Sequence, residues 1–238
     1  MSKAPESNAD LDRPPSSLRI ALAFAGFFGG FGALLFLSAG RLDWVAGWLY
    51  LGIMTIFTAI NYAYLRRKNP ELIAHRMRLG KGTKTWDKIW MGVFTPVFLA
   101  VYVVAALDAG RFGWSEMPLL LWPVGLALFL PGTILLTWSM GVNPFFEKTV
   151  RIQTERGHRV IDTGPYGFVR HPGYVGFLGW ILSAPLLLGS WWAFLPAILS
   201  VVVLVVRTAL EDRTLREELP GYLEYAGRIR FRLIPKVW

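Results

Sequence analysis

The sequence from 174 to 206 is YVGFLGWILSAPLLLGSWWAFLPAILSVVVLVV, and it contains no Asp, Glu, Lys or Arg. A helix needs about 20 apolar residues to cross a bilayer core that is about 30 Å thick. This tract is too long for one ordinary crossing, and its middle, Gly-Ser-Trp-Trp at 189–192, combines turn-forming residues with an aromatic pair typical of the membrane interface. We therefore predict a tight helical hairpin within an integral membrane protein.

Four further apolar stretches precede this hairpin, at 18–39, 44–65, 89–107 and 118–140. The chain is 54% hydrophobic and 17% charged, which is more apolar surface than a soluble domain of 238 residues can bury. Because hydrocarbon offers no partner to free backbone N–H and C=O groups, each stretch should be helical. The predicted fold class is an all-α integral membrane bundle of about six crossings with a cytosolic cofactor-binding cap.

The composition divides the chain into three predicted regions. Residues 1–17 are polar, with Pro-Pro-Ser-Ser at their end, and predict a flexible tail, since they lack the arrangement of a cleaved signal peptide. Residues 18–140 hold the first four transmembrane helices. Residues 141–238 form the predicted catalytic region, with a cofactor-binding loop, the hairpin and a polar C-terminal segment.

Basic residues are distributed unevenly between the apolar stretches. They crowd the segments 66–88, 148–170 and 213–236, whereas the connections at 41–43 and 108–116 are nearly neutral turns. By the positive-inside rule, the basic segments, both termini and any active site face the cytosol. The net charge of +9 then favours anionic lipid headgroups over nucleic acid, because the basic residues do not form one amphipathic face with stacking aromatic rings.

Two glycine-containing stretches resemble ligand-binding motifs only superficially. Gly26 and Gly30 form a GxxxG pair in the first apolar stretch, where helix packing explains them better than a dinucleotide fold, which needs a preceding strand. The sequence GKGTKT at 80–85 lacks the first glycine of a phosphate-binding loop, because position 75 is His. The absence of cysteine excludes thiol nucleophiles and thiolate metal sites.

The first of two polar blocks lies just before the hairpin and ends in GPYGFVRHPGYVG at 164–176. Its Gly-Pro and His-Pro-Gly steps hold the backbone out of helical geometry, and free amides there could receive a ligand. The alternative is that Pro172 only begins the hairpin helix, with Arg170 and Tyr174 anchored at the headgroups.

The second polar block, at 207–225, follows the hairpin directly. Arg207 and Glu211 are four positions apart, so on a continuing helix they share a face. They could present a cation and an anion to one cleft, or form an ordinary surface pair with Arg207 at the membrane edge.

Together the two blocks resemble the C-terminal half of the isoprenylcysteine carboxyl methyltransferase family, which is related to phospholipid methyltransferases. The shared pattern is G-x-Y-x-x-x-R-H-P-x-Y-x-G, a hydrophobic hairpin, R-x-x-x-E and a tyrosine-rich tail, over roughly residues 143–238. The resemblance implies an S-adenosylmethionine-dependent membrane methyltransferase that acts on a carboxylate of a lipophilic or prenyl-cysteine-like acceptor. The cofactor pocket that it implies is lined by Gln153, His158, Arg159, Val160, Ile161, Tyr166, His171, Pro172, Gly173, Tyr174 and Glu211.

The resemblance also implies roles for the charged residues of the second block. Arg207 would be the catalytic and substrate-binding residue that orients the acceptor carboxylate, and Glu211 would hold the amino group of the cofactor. A carboxylate is already an anionic nucleophile at neutral pH, so positioning suffices and no dedicated base is identifiable. Some relatives have an acidic run after this glutamate, whereas Asp212 and Arg213 follow it here, which leaves a second acidic contact open.

Other functions remain open alternatives at this stage. Phospholipid N-methyltransferases and small-thiol S-methyltransferases resemble the same family and differ mainly in the acceptor. Sterol-type reductases that use NADPH share H-P-x-Y-x-G but have an acidic residue soon after it, where this chain continues with Phe177 and Leu178. A transporter or other non-enzymatic membrane protein usually places ionisable residues at mid-membrane, where these stretches have almost none. The expected partners are a lipophilic or prenylated acceptor and membrane lipid, without nucleic acid.

Overall fold

The computed structural model describes residues 16–77, 80 and 82–238. Residues 1–15 of the predicted tail, and Arg78 and Lys81 of the basic loop, lie outside the described residues. Over the described part the chain is helical without strands, which confirms the predicted all-α class. The helices are α1 (Ser17–Ala39), α2 (Val45–Lys68), α3 (Pro70–Arg76), α4 (Thr85–Ala105), α5 (Leu121–Val142), α6 (Pro172–Leu188), α7 (Phe194–Glu218) and α8 (Tyr222–Arg228).

Five of these helices are long and apolar enough to cross a membrane: α1, α2, α4 with its continuation, α5 and α7. Helix α6 is also apolar, but its 17 residues span only about 25 Å at 1.5 Å per residue. It ends at Leu188, and Gly189 adopts the left-handed φ of 77° that turns the chain toward α7. The predicted hairpin is therefore present, with its turn where the Gly-Ser-Trp-Trp sequence placed it.

Several helix ends differ from the sequence prediction. Ser16 caps the first helix by accepting the N–H of Arg19, and Ser17 begins it, so these two serines are not part of a tail. Helix α4 begins at Thr85 instead of residue 89, and α7 continues beyond the apolar tract to Glu218. Both extensions are polar helical turns, which hydropathy does not detect.

The connection at 108–116, predicted as a nearly neutral turn, begins as a continuation of α4. Helix α4 continues as a π-helix over Ala106–Phe112, and Asp108 within it is fully buried. Its Oδ2 accepts hydrogen bonds from the hydroxyls of Ser115 and Ser190, at 2.5 and 2.6 Å. A buried carboxylate needs such partners, and here they tie this connection to the turn of the hairpin.

Helices α5 and α6 approach each other backbone to backbone, which fixes the start of α6. A Cβ on Gly176 would lie 2.5 Å from the carbonyl oxygen of Gly132 and 2.7 Å from the amide nitrogen of Leu136. Glycine is therefore required at this contact. By contrast, a Cβ on Gly26 or Gly30 would meet nothing within 4 Å in the described part of the chain, so packing against its own helices does not explain the GxxxG pair.

One end of the bundle holds the start of α4, the residues before α6, and the end of α7 with the segment that follows it. We call this the polar end. There the Lys84 ammonium contacts Glu218 at 2.7 Å, joining the start of α4 to the end of α7. The C-terminal segment runs alongside the residues before α6, because the amides of Arg170 and His171 donate to the carbonyls of Phe231 and Arg232 at 2.9 Å. The two predicted polar blocks thus meet at the polar end.

Candidate functional site

A cavity of about 320 Å³ lies at the polar end, and we call it the first cavity. Its volume is within the range of small-molecule pockets. All of the residues that the family resemblance implies line it, except Pro172, which is buried in the first turn of α6. Those residues are Gln153, His158, Arg159, Val160, Ile161, Tyr166, His171, Gly173, Tyr174, Arg207 and Glu211.

The start of α6 and the end of α7 together form one wall of the first cavity. The Tyr174 hydroxyl donates a hydrogen bond to Oε2 of Glu211, and the Tyr174 ring stacks on the His171 imidazole with 5.7 Å between centroids. These residues meet because the hairpin returns the chain to the end from which it started. No ion pair joins Glu211 to a described Lys or Arg, although the charges of Glu211 and Arg207 attract each other at longer range.

Arg207 does not form the surface pair with Glu211 that the spacing allowed. Its Nε lies 3.0 Å from Oδ1 of Asp87, and its Nη2 donates to the Lys148 carbonyl at 2.7 Å. The guanidinium also lies 4.3 Å from the centre of the Trp90 ring, close enough for a cation–π interaction. The interpretation of Arg207 as an ordinary surface residue is therefore wrong.

Asp87 is a site residue that the sequence analysis missed. It lies in the first turn of α4, is fully buried, and accepts the N–H of Val150 at 2.7 Å through Oδ2. Its Oδ1 and the Arg207 Nε lie at ion-pair distance but lack hydrogen-bond geometry. The Arg207 Nη2 does donate a long hydrogen bond to Oδ2 of Asp87, at 3.4 Å. The guanidinium is thus held by opposite charge, by this bond and the one to the Lys148 carbonyl, and by an aromatic face, without two short parallel bonds to one carboxylate.

Asp212 lies behind this wall and accepts hydrogen bonds from three arginines. Its carboxylate accepts Nε and Nη2 of Arg170 at 2.7 and 3.0 Å, and the Nε atoms of Arg216 and Arg232 at 3.0 and 2.9 Å. Neighbouring residues on a helix point about 100° apart, so Asp212 faces the C-terminal segment while Glu211 faces the cavity. Asp212 therefore offers no second acidic contact to a ligand. Arg170 is almost fully buried, so its predicted alternative as a headgroup anchor is wrong.

The segment at 153–161 lines the first cavity through Gln153 and residues 158–161. The amide of Gln153 donates to Nδ1 of His158 at 3.3 Å, and the His158 ring lies 4.5 Å from the Phe145 ring. Burial lowers the pKa of His158 to about 4, so the imidazole is neutral at pH 7. The Gln153 side chain donates to the Phe145 carbonyl at 2.9 Å and accepts from Arg156 at 2.6 Å, which makes it a scaffold for this segment.

The next three residues, Arg159, Val160 and Ile161, have no regular secondary structure. Among the described residues, no backbone hydrogen bond engages their amides or carbonyls. Beside them, the Tyr166 hydroxyl accepts from the Asn143 side chain at 3.1 Å. Burial raises the pKa of Tyr166, so this hydroxyl stays protonated.

The chain is similar to known proteins in sequence and in structure. Residues 125–217 match the model of the isoprenylcysteine carboxyl methyltransferase (ICMT) family. Protein-S-isoprenylcysteine O-methyltransferases of Rattus norvegicus and Homo sapiens are each 26% identical over 92% of this chain and 75% of theirs. The solved structure of the eukaryotic intramembrane Ras methyltransferase ICMT matches 90% of this chain and 75% of its own, with a TM-score of 0.54 and 18% identity. The two chains share a fold.

Proposed function

We propose, from the premise that this chain is related to the isoprenylcysteine carboxyl methyltransferase family, that it is an S-adenosylmethionine-dependent carboxyl methyltransferase of the membrane. The relation itself, predicted from the two polar blocks, is confirmed by the comparisons. The proposed acceptor is the carboxylate of a lipophilic or prenyl-cysteine-like molecule. The observation that carries the proposal is that Glu211 and Arg207 face one cavity at the boundary between the apolar helices and the polar end.

The residues of the first cavity suit the cofactor. S-adenosylmethionine has a cationic amino group, and Glu211 offers a carboxylate that forms no ion pair with a described Lys or Arg. The free amides and carbonyls of residues 159–161 could bind the polar edge of the adenine. The rings of His158, Tyr166 and His171 add flat surfaces around that space.

The proposed reaction needs orientation more than proton transfer. When bound, S-adenosylmethionine supplies a sulfonium methyl group, so that a carboxylate oxygen forms the new O–CH₃ bond and the electron pair of the broken S–CH₃ bond stays on sulfur. The acceptor carboxylate is ionised at neutral pH and has no proton to lose. The role we assign to Arg207, with Asp87 and Trp90 behind it, is to fix the carboxylate without binding it so tightly that its nucleophilicity is lost.

We also propose that the polar end and both chain termini face the cytosol. In the described chain, Arg41 and Arg111 are the basic residues that lie toward the opposite end, in the connections after α1 and α4. The remaining described Arg and Lys lie at the polar end, as the positive-inside rule requires for the cytosolic face. This orientation would give the first cavity access to a soluble cofactor.

Cofactor binding tests this proposal directly. Calorimetry on the purified full chain in detergent should show binding of S-adenosylmethionine and S-adenosylhomocysteine, with no binding of NADPH. Transfer of a labelled methyl group should then be measured with lipophilic carboxylate, amine and thiol acceptors at equal chain length. We expect the carboxylate to be the methylated acceptor. Binding of NADPH alone would refute methyl transfer, and labelling of only the amine or the thiol would refute the proposed acceptor class.

A further inference from the structure

A second cavity, of about 330 Å³, adjoins the first inside the helix bundle. It lies between α1, α2, α3 and α5, and its wall is mainly apolar, with Phe24, Phe57 and Phe129 among the lining residues. Four residues line both cavities and so mark their junction: Arg76, Leu136, Lys148 and Trp180. Two of these four are cations.

Arg76 is positioned at this junction by its place at the end of α3. Its Nη1 donates to the Phe146 carbonyl at 3.0 Å, and its guanidinium lies 5.5 Å from the centre of the Phe146 ring. Neither contact supplies a negative charge. The side chain lines both cavities, and its charge has no ion-pair partner in the described chain, although Glu147 acts on it at longer range.

The junction has a surplus of positive charge. Arg151 and Arg207, which also line the first cavity, have Glu147 and Asp87 as ion-pair partners. Arg76 and Lys148 have no carboxylate within ion-pair distance in the described chain. Burial, and then the charge of Arg207, lower the pKa of Arg76 to about 10, which leaves it protonated at neutral pH. Arg76 is partly buried, whereas Lys148 is exposed. A partly buried cation without an anionic partner is costly, and a bound anion relieves that cost.

We infer that Arg76, with Lys148 beside it, binds the carboxylate of the methyl acceptor at the junction, and that the apolar chain of the acceptor occupies the second cavity. This inference rests on the proposed function. Asp87 already offsets part of the charge of Arg207, so Arg76 and Lys148 would add to Arg207 in binding the acceptor carboxylate. An amphipathic acceptor has an anionic end that complements the cationic junction and an apolar chain that suits the second cavity.

S-adenosylmethionine also has a carboxylate that Arg76 could bind. Binding experiments distinguish this carboxylate from that of the acceptor. We expect Arg76→Gln to raise the KM for the carboxylate acceptor about tenfold or more, because a charged hydrogen bond is lost. Its affinity for S-adenosylhomocysteine should stay within about twofold, which also shows that the variant is folded. Arg76→Lys should recover part of the KM. The matched control is Arg67→Gln, which removes the same charge from an exposed site at the end of α2.

The methyl ester product provides a second readout. Because it lacks the negative charge, its inhibition constant should be nearly the same for Arg76→Gln and the unmodified chain. An unchanged acceptor KM in both Arg76→Gln and Lys148→Gln would overturn the inference. A loss of S-adenosylhomocysteine affinity without a change in acceptor KM would assign Arg76 to the cofactor carboxylate instead. Failure of the unmodified chain to methylate any carboxylate would refute the proposed function itself.

The second cavity is tested by filling it from α5. Thr133 lines this cavity, and its neighbour Ile134 points outward with 63% of its surface exposed. Thr133→Phe should reduce the kcat/KM of long-chain acceptors more than that of short-chain acceptors, whereas Ile134→Phe should affect both little. Equal losses for all chain lengths in Thr133→Phe would place the acceptor chain elsewhere.

Discussion

Glu211 is the residue on which the cofactor assignment depends most. We expect Glu211→Gln to weaken S-adenosylhomocysteine binding about tenfold, because the amide can still accept the Tyr174 hydrogen bond but has no charge to offer an ammonium group. Calorimetry in detergent measures this change. Glu217→Gln, at an exposed site on the same helix, is the control. Unchanged affinity in Glu211→Gln would remove this residue from the cofactor site.

His158 predicts a particular dependence of stability on pH. Burial lowers its pKa from 6.5 to about 4, opposed by Glu211 and Glu147 and assisted by Arg151 and Arg156. Between those two pH values the unfolded chain binds a proton that the folded chain does not, so stability should fall as the pH decreases through this interval. His158→Gln should flatten this part of a plot of unfolding midpoint against pH. Superimposable plots would show that His158 titrates as it does in the unfolded chain.

The sequence identifies site residues that belong to a motif, but it does not identify those whose role depends on a contact with a residue far away in the chain. The motif residues around His171 and Glu211 were identified by pattern, and the structure brings them to one cavity. Asp87 was not identified, because a single acid in a basic stretch resembles a solvated residue, and Arg207, its partner, is 120 positions away. The sequence also could not show that Glu211 faces the cavity and Asp212 faces the C-terminal segment. Two adjacent acids differ in this respect only through the direction in which the helix points each side chain.

The contact between α5 and α6 makes a prediction at the level of whole helices. Gly176→Ala should destabilise the bundle by about 1–3 kcal/mol, because the new methyl group would meet the backbone of α5, which cannot move aside as a side chain would. Gly92→Ala, inside α4, is the control, since a Cβ there meets nothing within 4 Å in the described chain. The control should be neutral or stabilising by up to about 1 kcal/mol. Reversible unfolding in mixed micelles compares the two, and equal effects would contradict the packing argument.

Helix locations were predictable from hydropathy, whereas helix ends were not. The apolar stretches and the hairpin turn were found where the sequence placed them, because lipid solvation is a property of composition. The π-helical continuation around Asp108 was not foreseen, since its stability depends on hydroxyl groups from two other connections. The polar first turn of α4 was also missed, although it supplies Asp87 to the site.

The orientation of the whole molecule can be measured because the chain has no cysteine of its own. A single cysteine at Glu224, in α8 at the polar end, should be labelled by a membrane-impermeant maleimide only after the cytosolic side is opened. A single cysteine at Glu116, in the connection before α5, should be labelled from outside intact cells. Both positions are exposed, so accessibility within the protein does not limit the reaction. The reverse pattern would place the first cavity on the outer face.

The final residues of the described chain have a practical consequence for handling the protein. The carbonyl of Trp238 accepts the amides of Arg232 and Leu233, and the Trp238 ring lies under the Arg232 guanidinium at 4.8 Å. The Arg232 carbonyl in turn accepts the His171 amide, so we expect an affinity tag or fluorescent fusion joined directly after Trp238 to disturb the hydrogen bonds that hold His171 beside the first cavity. Purification handles are better attached ahead of α1, where they leave these hydrogen bonds intact.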